Sequence, residues 1–183
     1  MNHNLNIIGM KLFGKLLVTT IICFITSLFA LSMIDGPFVR LLVQILFLVF
    51  VLASIYPTVY KVGSADASAV KRGHRKPRYF SGFIIGMISC IPFIMSAAML
   101  LTSKFNLTAD MTVFYRLLNS IYIPFTQSVL FGSLTLAEHS TADVLISLIP
   151  QLFIPIMCGI IYLLGYFQIE ISEILLFKRH KEE

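Results

Sequence analysis

Glu138, His139 and Asp143 fall within six positions of one another in the stretch LAEHSTAD. Two carboxylates and an imidazole at this spacing have the donor atoms for a divalent cation and the acidities for moving a proton. The same spacing suits a simpler task, because Asp143 stands where an apolar run begins and an aspartate there caps the free amides of a helix. The capping role is the preferred reading. His3, His74 and His180 lie in separate polar segments. Cys23, Cys90 and Cys158 each sit deep in apolar sequence, with no CxxC spacing and no histidine cluster beside them, so they read as small apolar residues. HExxH, GxSxG and phosphate-binding glycine motifs are missing from the chain. The expectation is a protein that is not an enzyme, with no catalytic residue, metal site or cofactor.

Another set of residues suits binding. The stretch LLNSIYIPFTQSVLFGSLTLA places Asn119 and Gln127 in apolar surroundings, with Arg116 just ahead of it and Gln151 in the next run. Each polar group costs free energy in hydrocarbon unless protein, water or a ligand partners it. Arg116 either snorkels to lipid headgroups or faces a pocket for an anionic ligand. Pro57, Pro92, Pro124, Pro150 and Pro155 interrupt the apolar runs, and each frees a backbone carbonyl. They either enclose a polar cavity around Asn119, Gln127 and Gln151 or are bends packed against neighbours, the second being preferred.

The elements that must position these groups follow from composition. The 183 residues are 57% hydrophobic and 13% charged, about half the charged fraction that keeps a soluble surface wet. The chain reads as an integral membrane protein. Its net charge of +5 does not point to nucleic acid, because the cations flank apolar runs instead of forming a basic face on a soluble scaffold.

Five charge-free runs stand out: Leu16–Ile34, Leu41–Tyr60, Tyr79–Ser103, Leu117–Ala137 and Val144–Ile169. About 20 residues of helix cross a bilayer core, so each is long enough on length alone. Helices are expected because backbone groups cannot stay unpaired in lipid, and continuous runs do not suit a barrel. The first run, 19 residues long, exceeds a secretion-signal core of about 7–15 residues and reads as an uncleaved span.

Charge placement separates four spans from five. With four, Leu117–Ala137 is re-entrant or peripheral and both termini are cytoplasmic. Lys11, Lys15, the six cations of Lys61–Arg78, Lys178, Arg179 and Lys181 then share the cytoplasmic side, leaving Arg40, Lys104 and Arg116 outside. With five spans, the C-terminal cluster moves outside. The positive-inside tendency favours four. The expected fold is therefore an all-α, polytopic helical bundle of one domain over residues 1–183, located in the cell membrane. Residues 61–78 form a basic cytoplasmic loop, and residues 170–183 form a cytoplasmic tail that extends the last helix along the interface.

KVGSADASAVKRGHRKPRYF, residues 61–80, carries six of the fourteen Lys and Arg residues. Lys71, Arg72, Arg75, Lys76 and Arg78 are candidates for contact with anionic lipid or with a protein partner. Within this stretch a short separate helix is expected, capped by Ser64, with Asp66 in its first turn and Gly73 and Pro77 beyond its end. Gly82, Gly86 and Cys90 recur every four residues and allow close helix approach, either inside the chain or across a homo-oligomer seam, the former preferred. The Asp35-Gly36-Pro37 turn makes the first two spans a hairpin. Asn106-Leu-Thr108 matches a glycosylation sequon that arises readily by chance. The functional expectation is a small subunit or accessory protein of a membrane transport or envelope complex. The alternative is a small-solute binding or transport protein built on the kinked polar segment.

Overall fold

The computed structural model describes residues 5–33, 36–74, 76–129 and 141–169. All regular structure among them is helical: α1 (Leu5–Met33), α2 (Pro37–Lys71), α3 (Ser81–Lys104), α4 (Thr112–Leu118), α5 (Ile123–Val129), α6 (Thr141–Leu148) and α7 (Phe153–Tyr166), with 3-10 turns at Ser120–Tyr122 and Ile149–Leu152. Four stretches are long and apolar enough to cross a bilayer: Leu5–Phe29, Phe38–Lys71, Ser81–Lys104 and Val144–Tyr166. The protein is a multi-pass helical membrane protein. The fourth apolar run of the sequence is not among the spans, being broken into α4, a 3-10 turn and α5.

Helix α1 starts eleven residues before the charge-free run does, and takes in Lys11 and Lys15. A lysine stem lies along apolar surface while its ammonium reaches a polar partner, so a charge near the interface need not end a helix. Here Lys15 Nζ donates to Thr58 Oγ1 of α2 at 2.7 Å. One turn on, the Thr19 and Ser54 hydroxyls meet at 2.8 Å.

The separate helix expected over residues 64–72 does not form. Helix α2 runs unbroken for 35 residues, about 52 Å at 1.5 Å per residue, against a hydrocarbon core about 30 Å thick. Ser64 is inside it, its carbonyl accepting a hydrogen bond from Ser68 Oγ at 3.0 Å. Val59, Val62, Gly63 and Asp66 are buried, so packing holds the helix past the point where its charge begins. It ends at Gly73, whose φ of 74° is the left-handed conformation that glycine adopts at least cost. Gly73 N donates to Val70 O and His74 N to Ala69 O, which closes the helix in a Schellman motif.

Two other helices end the same way. After α3, Asn106 takes φ 56°, with Asn106 N on Ser103 O and Leu107 N on Thr102 O. Asparagine tolerates this conformation better than other non-glycine residues. After α7, Gln168 takes φ 57°, with Gln168 N on Gly165 O and Ile169 N on Leu164 O. The last helix therefore stops at Tyr166; residues 170–183, where the cytoplasmic tail is expected, lie outside the described residues.

Leu12, Leu16, Phe47, Val51, Ile55, Ile85, Phe93, Ile154 and Ile161 form the core shared by α1, α2, α3 and α7. A smaller cluster of Ala97, Leu100, Tyr115 and Val144 closes the end where the broken segment sits. Outward faces carry Ile21, Ile25, Phe29, Ile45, Val49, Ile91, Ile156 and Ile160, an apolar exterior that suits lipid. The last span bends through Ile149–Leu152, where Pro150 and Pro155 each withhold an amide donor.

Candidate functional site

Two regions gather polar side chains: the broken segment between α3 and α6, and the end of the bundle that carries residues 71–80.

The broken segment is tied to three spans, by one bond to α3, one to α1 and two to α2. Asn119 ends α4, and its Nδ2 donates to Ser96 Oγ of α3 at 2.7 Å and to Tyr115 O at 3.3 Å. Ser120 Oγ donates to Thr20 O of α1 at 2.6 Å. Gln44 of α2 makes the third tie. Its Nε2 donates to Ile121 O at 3.1 Å, and its Oε1 accepts from Phe125 N at 3.2 Å. Ile121 O and Phe125 N stand four residues apart, the pair that an uninterrupted helix would join directly. The Gln44 amide thus bonds both groups of a single helical rung, the position from which a side chain can loosen a helix.

Besides Thr112 Oγ1 at the start of α4, three buried polar atoms in this region have no hydrogen-bond partner: Asn119 Oδ1, Tyr122 Oη and Gln151 Nε2. Buried polar atoms are nearly always satisfied, so such a group calls for a reason. The three belong to residues no more than 6% exposed. The Tyr122 phenol lies in electrostatic range of Cys90 and Tyr115. Since Gly86 meets Pro155 across the antiparallel α3–α7 contact, Cys90 and Gln151, each one turn farther along, sit at a common level. The other sequence candidates sit differently. Gln127 is in α5, and its side chain is outside the described set. Arg116 is half-buried on α4 and in electrostatic contact with Asp110, with burial lowering its pKa and Asp110 opposing. Asp110 is exposed; hydrogen bonds from Thr112, and then the Arg116 charge, hold its carboxyl below the usual range.

At the opposite end, Lys71, Arg72, Lys76 and Arg78 are exposed, as are His74, Tyr79 and Phe80. Arg75 lies outside the described residues. Asp66, the one carboxylate in residues 61–80, points inward, and its Oδ2 accepts from Tyr162 Oη at 2.9 Å. Tyr162 is fully buried and also shares a hydrogen bond with Ser81.

Glycines set the close approaches. A β-carbon on Gly82 would stand 2.5 Å from Cys158 O and press on the Tyr162 side chain, and one on Gly86 would stand 2.6 Å from Pro155 Cα. Cys90 continues that face and is fully buried. On the other side of α7, Gly63 abuts the backbone of Tyr162 and Tyr166, and Gly165 abuts the Tyr60 carbonyl. Sequence spacing did not reveal this second contact, because its two glycines come from different helices. Gln44, Ser96, Tyr122 and Asp66 were missed as well. Gln44 had a usable signal, being an amide in an otherwise apolar stretch.

Glu138 and His139 lie outside the described residues. Asp143 falls within helix α6 (Thr141–Leu148), and its side chain lies outside the described set. Among the described residues no three His, Cys, Asp or Glu side chains are grouped as metal ligands would be. Comparison with protein-family models, curated proteins and solved structures finds no match to this chain.

Proposed function

We propose that the chain is a non-enzymatic component of the cell membrane, a small subunit or accessory protein of a transport or envelope complex. Its termini and residues 71–80 face the cytoplasm, and the basic stretch is its contact surface. The observation that supports this is the division of polar groups. Hydroxyls and amides inside the bundle are used largely within the chain, back to carbonyls of their own helix or across to a neighbouring helix, whereas Lys71, Arg72, Lys76 and Arg78 all project outward. The test is extraction in mild detergent and mass analysis of the intact assembly, for the native chain and for one with these four residues changed to alanine. A co-migrating component that is lost from the alanine variant supports the proposal; an isolated native monomer counts against it. Gly82 and Gly86 are occupied by α7, so a homo-oligomer would have to use another face.

A second reading rests on Asn119 Oδ1, Tyr122 Oη and Gln151 Nε2, an uncharged set of donors and acceptors suited to a small neutral polar solute. Tyr122→Phe removes only an atom without a partner in the chain, and Gln151→Leu removes the unpartnered Nε2 together with Oε1. Loss of solute uptake or binding in these variants, with thermal stability retained, supports this reading over the first.

A further inference from the structure

We propose that residues 71–80 seat in the headgroup layer of an anionic leaflet, with Lys71, Arg72, Lys76 and Arg78 binding lipid phosphodiesters. Tyr79, Phe80 and Phe167 set the depth. This rests on the reading that the basic stretch is a contact surface, and it names what is contacted.

The geometry places these residues at the edge of the hydrocarbon. The apolar span of α3 begins at Ser81 and that of α7 ends at Tyr166, and the Tyr79 and Tyr166 rings meet edge to face at 5.2 Å. Tyr166 in turn meets Phe167 at 5.5 Å. Phe80 is 78% and Phe167 60% exposed. Aromatic rings open to solvent at the ends of apolar helices are the usual furniture of the membrane–water boundary. A soluble acidic partner would give them no reason to collect at this level.

Helix α2 passes α7 at Tyr60–Gly63 and then continues from Ser64 to Lys71, about 12 Å more at 1.5 Å per residue. A headgroup layer is about 5–7 Å deep on each side. Lys71 and Arg72 therefore stand just above that layer, within reach of their own flexible stems, and the chain descends through it past Lys76 and Arg78 to the aromatic collar. The cations thus line the depth occupied by phosphates.

Charge sign completes the argument. Asp66 is turned inward to Tyr162, so the outward surface of residues 64–80 carries cations without a carboxylate among them. Each cation near an anionic surface strengthens binding about fivefold, an effect that salt screens.

The test uses the full chain reconstituted in phosphatidylcholine with and without phosphatidylglycerol. Lipid retained by the intact protein is read by mass after extraction, and thermal unfolding is measured at low and high salt. Phosphatidylglycerol should be retained in preference to phosphatidylcholine, and should raise the unfolding temperature at low salt much more than at high salt. Both effects should fall severalfold when Lys71, Arg72, Lys76 and Arg78 are changed to alanine. Unfolding of that variant in phosphatidylcholine alone shows whether it is folded. If the native chain shows no preference between the lipids, the proposal is overturned whatever the variant does. A protein component released by the alanine changes would then leave the contact-surface reading standing, while no partner of either kind would end both.

Discussion

Replacing Gln44 by leucine tests what holds the fourth apolar run open. Leucine keeps the apolar bulk of the side chain and removes both bonds of the inserted amide, at 3.1 Å to Ile121 O and 3.2 Å from Phe125 N. Interhelical hydrogen bonds inside membranes average about 0.6 kcal/mol, so two amount to about 1.2 kcal/mol. An opposing contribution exists, because the two released groups are natural helical partners and gain a bond if they meet. Asn119 and Ser120 keep the segment fastened to α3 and α1 whichever partner these two groups take. The expected net loss is about 1 kcal/mol, a fall of about 2–4 °C in unfolding temperature for a chain of this size. Gln44→Glu should cost more, about 2–3 kcal/mol, because it places a carboxylate within the spanning part of α2.

Thermal unfolding in detergent gives the stability change, and hydrogen exchange at the Phe125 amide reports the rung itself. In Gln44→Leu that amide should exchange faster. An unchanged unfolding temperature together with unchanged or slower exchange would refute the reasoning, because it would show that the rung closes by itself once the glutamine is gone.

Tyr162→Phe keeps the ring but removes the donor to Asp66; a loss of about 1–3 kcal/mol is expected, and a cycle with Asp66→Ala should show strong non-additivity in thermal melts. Gly82→Ala must push on Cys158 O and the Tyr162 side chain, an overpacking cost of about 1–3 kcal/mol, whereas Gly14→Ala meets open space and should stabilise by up to about 1 kcal/mol. Asp110 has its carboxyl held below the usual range by Thr112 and Arg116, so its contribution is present above the ordinary carboxylate pKa and lost as pH falls through the depressed value. Acid titration of the unfolding temperature should show a small step there that is missing in Asp110→Asn, small because the group is exposed.

Which of these features could be read from the chain depends on how far away the deciding contact lies. Run length suffices to mark the four stretches that can span, since it reports how a segment meets lipid. The break in the fourth apolar run after Leu118 is also visible locally, in Pro124 and in the polar groups from Asn119 onward. Helix ends were harder. The stretch after Tyr60 has the composition of a loop, yet α2 continues to Lys71 because Gly63 lets the backbone of α7 press against it. That contact joins positions about a hundred residues apart, and no local pattern encodes it. The same holds for Gln44, whose partners are 77 and 81 residues on, and for Asp66, whose partner is 96 residues on. Asn106 is a case where the local signal was set aside: its triplet is a chance match to a sequon, and the left-handed conformation that closes α3 accounts for the asparagine.

The same distinction bears on the candidate site. Asn119 drew notice as a ligand group because amides are costly in hydrocarbon, and half of that cost is offset inside the chain, where Nδ2 has two acceptors. Only Oδ1 is left for another molecule. A polar residue in a membrane helix is thus a weak indicator of binding until its bonds are counted atom by atom. By that count Tyr122 and Gln151 are sharper probes of a solute site than Asn119, because changing them leaves the ties to α1, α2 and α3 intact. Loss of solute binding in Asn119→Leu alone would report a loosened segment, whereas the same loss in Tyr122→Phe would report a missing contact.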